Sequence, residues 1–202
     1  MTSTALPRAD GRAATLADLV PAPGDLSLVR DAVLVVVAAA LAAGAAQVSF
    51  TTPWTPVPYT LQTGSVLLAG AALGSRRGLL AMLLYVVAGA AGVPVFQGGG
   101  SGIDQVLGFT GGYLLGFIVA AWVVGRLAER RWDRSVARSA ALMVLGTAII
   151  YLIGVPVLWL TTGMSFIDAV RNGAAVFVPW DLAKVALAAA LLPLAWRAAG
   201  HD

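Results

Sequence analysis

Residues 139–167 read "SAALMVLGTAIIYLIGVPVLWLTTGMSFI", and no acidic or basic side chain interrupts them. A helix that crosses a bilayer needs about 20 predominantly apolar residues, so this run can span by itself. A buried core helix would account for one such run in a soluble domain, but it does not account for four. Residues 32–75, 78–103 and 105–125 are likewise free of Asp, Glu, Lys and Arg. Of 202 residues, 59% are hydrophobic and 11% charged, against about 25% charged in a typical soluble domain. The chain is read as an all-α, polytopic membrane protein.

Six transmembrane helices are expected, over 30–49, 61–73, 79–93, 111–127, 140–160 and 179–196. Pro53, Pro56 and Pro58 keep the first connection from being helical, because each lacks an amide donor and restricts its predecessor. "GSRRG" at 74–78 makes a tight turn, and "PVFQGGGSG" at 94–102 opens a long non-helical connection. "TTGMSFIDAVRNGAAVF" at 161–177 is too polar for an easy span and is expected to hold a short helix near the surface. The first 29 residues, rich in Ala, Pro and Gly, lack the apolar core of a signal peptide. They read as a flexible or interfacial cytoplasmic extension, with 30–197 forming the membrane domain and 198–202 a cytoplasmic tail.

The charges orient the bundle. Arg8, Arg12, Arg30, Arg76, Arg77, Arg197 and the five arginines of "RLAERRWDRSVAR" at 126–138 fall on one side of a six-span chain. Arg171 and Lys184 alone fall on the other. Cytoplasmic loops carry the excess of Lys and Arg, so both termini are expected in the cytoplasm. The basic balance is thereby explained by topology and not by nucleic acid. Every irregular, polar connection then gathers on the external side, where non-helical backbone is tolerated if it lines a cavity. An outward-facing binding cavity follows.

The segment "VPWDLAKVALAAALLPLAWR" at 178–197 carries Asp181 and Lys184 into the head of an apolar helix. Residues three apart share a helical face. One reading is an interfacial ion pair; the other is a ligand site, since ionisable groups inside a membrane are functional by default. Gln62, just inside the second helix, can present an amide to the same cavity; Tyr85, two turns below Pro94, reads either as a cavity wall with one polar handle or as an ordinary membrane-interface aromatic. Gly112 and Gly116 form a small-xxx-small pair for close helix packing. Ala38, Ala42 and Ala46 make a smooth stripe expected to serve as a docking face. The chain has no cysteine and a single histidine, His201, and no metal or phosphate-binding motif. It is therefore read as a binding or transport subunit without cofactor and not as an enzyme, with a membrane scaffold as the alternative.

These residues carry a resemblance. "PVPYTLQTGSVLLAGAALGSRRG" at 56–78, "YVVAGAAGVPVFQGGGSG" at 85–102, "GFTGGYLLGF" at 108–117, "IYLIGVPVLWL" at 150–160 and "FVPWDLAKVALAA" at 177–189 follow in the order seen in the BioY family. That family comprises the biotin-specific substrate-binding (S) components of energy-coupling factor (ECF) transporters. Phe109 stands where the family commonly has proline, and Trp180 is an aromatic variation. The resemblance implies an ECF S-component-like six-helix bundle in a bacterial cytoplasmic membrane, capturing biotin with high affinity for uptake. It implies a transmembrane coupling subunit and two ATPases as partners. It places substrate contacts at Asp181 and Lys184, and at Gln62, Tyr85 and Gln97. Receptors for other small vitamins are the nearest alternative.

Single cysteines introduced at Ser101 and Ser135 are expected to react with an impermeant maleimide from opposite sides of the membrane, Ser101 from outside. Labelling of both from outside would overturn the topology.

Overall fold

Helices in this chain begin and end where proline, glycine and capping side chains dictate. The computed structural model describes residues 14–200; residues 1–13 of the extension, with Arg8 and Arg12, and residues 201–202, with His201, lie outside the described residues. Among the described residues there are eight α-helices: α1 (Ser27–Gln47), α2 (Gln62–Leu73), α3 (Ser75–Ala90), α4 (Ile103–Leu107), α5 (Gly111–Ala128), α6 (Val136–Thr162), α7 (Phe166–Gly173) and α8 (Val178–Ala198). Gly74, at φ +83°, lets α2 turn directly into α3, a conformation that glycine adopts without a Cβ penalty. Gly163 ends α6 in the left-handed region. The Ser165 side chain accepts the Asp168 N–H to start α7, and Pro179 lies in the first turn of α8, where its missing N–H costs nothing.

Two segments depart from the sequence expectation. The proline-rich connection is not merely irregular: β1 (Ser49–Thr52) and β2 (Thr55–Thr60) form an antiparallel hairpin, with Phe50 opposite Tyr59 and Thr52 opposite Thr55. The fold is therefore helical apart from this hairpin. Thr55, Val57 and Tyr59 point inward and alternate with Pro56 and Pro58; an edge strand accommodates proline at positions that need not donate. The connection after α3 also contains α4, started after Gly102 at φ +97°.

α5 is the central helix, packed against α6, α2 and α3. Missing side chains permit this. A Cβ on Gly125 would lie 2.4 Å from the Gly74 carbonyl carbon, and one on Gly70 would lie 2.7 Å from the Ala121 carbonyl oxygen. Gly112 and Gly116 likewise let α6 approach, Gly116 facing the Ile150 backbone at 2.9 Å. The alanine stripe is used differently from expectation. Ala38, Ala42 and Ala46 are buried, on the side of α1 that packs against α3 and α2, so they are not an outward docking face. The outer side of α1 instead exposes Leu28, Val33, Val37 and Leu41.

The contacts sort the connections to two ends. At one end Arg77 bonds Asp18 at 2.5 Å and Asp31 at 3.2 Å. Glu129 accepts from Ser75 N and Oγ at 2.8 and 2.6 Å, and Trp196 donates to Asp133 at 2.5 Å. The inner part of the extension is folded here: a 3-10 turn, Leu16–Leu19, is capped by Thr15 and Asp18 and buries Ala17. Burial by itself would raise the Asp18 carboxyl, but bonds and charge from Arg77 and bonds from Thr15 hold it below the ordinary range. Burial pushes the Asp133 carboxyl upward despite its bond from Trp196. The hairpin, the 94–110 connection, α7 and the head of α8 gather at the opposite end.

Four helical stretches are long and apolar enough to cross a membrane: Gly24–Gln47, Gly111–Ala128, Val136–Thr162 and Phe166–Ala198. Of the six expected spans, α2 with 12 residues and α3 with 16 are shorter than this criterion asks.

Two glycine substitutions separate close approach from open space. Gly125→Ala is expected to lower stability by about 1–3 kcal/mol through overpacking, read as a lower melting midpoint in detergent. Gly44→Ala, with nothing within 4 Å of the added Cβ, is expected to leave the midpoint unchanged or raise it.

Candidate functional site

Beneath the hairpin and the 94–110 connection lies a cavity enclosing ≈ 670 Å³ of empty space, some of it open to the outside. Apolar walls with a few convergent polar groups are the usual form of a small-molecule site. All five residues singled out from sequence and resemblance line it: Asp181, Lys184, Gln62, Tyr85 and Gln97.

The floor is polar. Asp181 is buried in the first turn of α8, where the positive end of the helix dipole favours an anion. Lys184 Nζ donates to its Oδ1 at 2.9 Å, and the Tyr151 hydroxyl of α6 donates to its Oδ2. The Lys184 stem runs past Gly64 of α2: a Cβ there would meet its methylenes at 3.6–3.8 Å. The Ser65 hydroxyl donates back to the Gln62 carbonyl at 2.9 Å. Across the cavity, Gln62 Nε2 donates to the Tyr85 hydroxyl at 2.7 Å. That bond uses the phenol as acceptor and leaves its own O–H free to donate.

The walls are aromatic and apolar: Phe96, Tyr113, Leu114, Phe117, Ile150 and Phe177. Glycines make room for two of these rings. Phe96 sits against Gly89, where an added Cβ would fall 2.1 Å from the ring, and meets Tyr85 edge-on with centroids 5.5 Å apart. Tyr113 lies against Gly154 and donates to the Gly173 carbonyl at 2.9 Å.

The roof has two pieces. The hairpin contributes Val57, Pro58 and Thr60. It is pinned to the α7–α8 region by Thr55 Oγ1 to Asn172 O at 2.6 Å and the Tyr59 hydroxyl to Val176 O at 3.0 Å. Trp180 Nε1 adds a bond to Thr60 O at 3.3 Å. The second piece carries Gln97 in a 3-10 turn, Gln97–Gly99, with Gln105 beside it on α4.

Sequence reasoning missed Tyr151, Tyr113, Phe96 and Gln105. Tyr151 left a signal: it stands in the middle of an uncharged span, away from the interfaces where tyrosines collect, and a buried phenol needs a partner. Among the described residues, no cluster of His, Cys, Asp and Glu could hold a metal ion.

A helical membrane bundle with a covered, mixed polar and apolar cavity at one end defines the class: a ligand-capturing membrane subunit. The model of the BioY family matches residues 13–201. The biotin transporter BioY of Thermotoga maritima is 43% identical over 141 residues, covering 68% of this chain and 79% of that protein. The probable biotin transporter BioY of Pyrococcus horikoshii is 37% identical over 79% of this chain and 91% of its own length. The crystal structure of the S-component for biotin from an ECF-type ABC transporter superposes with a TM-score of 0.77, covering 85% of this chain and 93% of that one at 20% identity. The chain belongs to the BioY family, and its bundle has the S-component fold.

The Gln62–Tyr85 bond is expected to couple the two residues energetically. Tyr85→Phe leaves a buried amide hydrogen without its acceptor and should cost about 1–3 kcal/mol. In the double variant with Gln62→Leu the two losses should fall short of adding by at least about 0.5 kcal/mol, measured by thermal melting of all four proteins.

Proposed function

We propose that this protein is the substrate-binding component of an ECF-type transporter and captures biotin with high affinity on the outer face of a bacterial cytoplasmic membrane. The observation that carries this reading is the buried Asp181–Lys184 pair at the floor of a roofed cavity, in a chain that belongs to the BioY family. The names of its relatives agree in pointing to biotin.

The chemistry of the cavity matches that ligand. Biotin ends in a ureido ring with two N–H donors and one carbonyl, followed by an apolar thiophane ring and an aliphatic tail with a carboxylate. Asp181 spends one lone pair of each oxygen on Lys184 and Tyr151, and a carboxylate oxygen has two. Two acceptor sites therefore face the ureido N–H groups. The free O–H of Tyr85 supplies a donor for the ureido carbonyl, held in place by Gln62. Phe96, Phe117 and Phe177 suit the apolar rings and tail. In this reading Lys184 neutralises Asp181 and does not seek the ligand's carboxylate, and Gln97 faces the ligand from the roof.

The remaining assignments follow from architecture. Every described arginine except Arg171 lies at the end opposite the cavity, which supports cytoplasmic termini. α2 and α3 reverse direction between the two ends, which supports six crossings with the hairpin completing the outer side. The chain has no phosphate-binding loop, so a transmembrane coupling subunit and two ATPases supply the energy for release inward. Purified protein therefore binds biotin without ATP and hydrolyses none.

Asp181→Asn keeps the shape of the carboxylate and removes its charge. Hydrogen bonds to charged groups contribute about 1.5–3 kcal/mol, so affinity for biotin should fall roughly 10- to 150-fold. Biotin amide, which lacks the carboxylate, should lose as much. Equilibrium binding in detergent, with unlabelled thiamine and riboflavin as competitors, checks this. Wild-type affinity in a folded Asp181→Asn protein would return the pair to an interfacial salt bridge, and displacement by another vitamin would reassign the ligand.

A further inference from the structure

Gln47 does not line the cavity, yet it holds part of the roof. It is the last residue of α1. Its Nε2 donates to the Phe96 carbonyl at 3.1 Å and toward the Val95 carbonyl at 3.4 Å, while also reaching Ala43 O at 3.1 Å. Its Oε1 accepts from the Gly99 N–H at 3.0 Å. One carboxamide thus bonds both flanks of the turn that carries Gln97, much as a neighbouring strand would.

The turn's other bonds are mostly its own: Phe96 N–H to Gly100 O at 3.0 Å, Gly99 N–H shared with Phe96 O at 3.1 Å, and Gly100 N–H to Gln97 O at 3.2 Å, none of which ties the turn to the bundle. Gly98 and Gly99 are at φ +66° and +75°, a region that glycine adopts without a Cβ penalty. Outside the turn, Gly102 N–H reaches Gly89 O at 2.7 Å, and the Phe96 ring is seated beside Tyr85. Among the described residues, Gln47 is the side chain that hydrogen-bonds this turn's backbone. The chain leaves Gln47 through Val48 directly into β1, so the two pieces of the roof meet at this residue.

We propose that Gln47 is a positioning residue for ligand retention: its carboxamide clasps the Phe96–Gly100 turn shut over the cavity and so governs escape of the bound molecule without touching it. The inference rests on the cavity being the biotin site. Effects of a clasp belong in dissociation, where most differences between related binding sites lie.

The test compares wild type with Gln47→Leu and the isosteric Gln47→Met in detergent. Hydrogen exchange is followed at the amides of residues 96–102, and labelled biotin is followed during association and release. Losing two or three hydrogen bonds should make turn exchange and biotin release both roughly 10-fold faster. Association should change by no more than about twofold, with exchange elsewhere unaltered. Unchanged exchange in the turn would overturn the clasp. So would faster exchange with unchanged release, or a loss of affinity confined to association. If wild type itself fails to bind biotin, the ligand assignment fails instead, and the exchange measurement still reports on the clasp.

Discussion

The buried carboxylate of Asp181 sets the terms for everything around it. A charge taken out of water is tolerated only when it is paired and hydrogen-bonded, and here one partner comes from the same helix and one from α6. Lys184 is positioned by a flat surface at Gly64, Tyr151 by its place opposite the first turn of α8. Removing one member of a buried pair costs about 3–5 kcal/mol because the other is left uncompensated. The three side chains therefore form one unit, buried in the bundle and reached from the cavity.

The two ends of the bundle solve different problems. One end ties its connections together with charged and capping interactions: Arg77 between Asp18 and Asp31, Glu129 on the start of α3, Trp196 on Asp133. The other end covers a cavity with backbone that is neither helical nor free. Its hairpin and glycine-rich turn are held by side chains reaching carbonyl groups: Thr55, Tyr59, Trp180 and Gln47. Such bonds are individually modest, about 0.5–1.5 kcal/mol net. The helices below are held differently, by close backbone approaches at Gly70, Gly112, Gly116 and Gly125 that leave no slack. The division fits a subunit that must hold a small molecule and later release it.

Much of this was legible in the residues. The uncharged runs required membrane helices, because a chain with so few charges cannot otherwise solvate its surface. Proline and glycine marked the irregular connections, since neither sustains a helix interior. The segregation of arginines sorted the connections to two ends. Asp181 and Lys184 stood out because charges are scarce in apolar helices, and their spacing of three placed them on one face. Gln62 and Tyr85 stood out by their places near the outer helix ends and Gln97 by motif order, and the structure brings all five to one cavity. What required the tertiary structure was everything that depends on which face meets which neighbour. An alanine stripe reads the same whether it meets lipid or another helix; the packing of α1 on α3 turned Ala38, Ala42 and Ala46 inward. The proline-rich connection folds as a hairpin in which β1 pairs with β2 across an irregularity between Phe50 and Thr52 and β2 is pinned to carbonyls of residues more than a hundred positions away, contacts that local propensity does not encode. Tyr151, Gln105 and Gln47 acquire meaning through contacts across the bundle, because a hydrogen bond depends on position in space and the sequence records position along the chain.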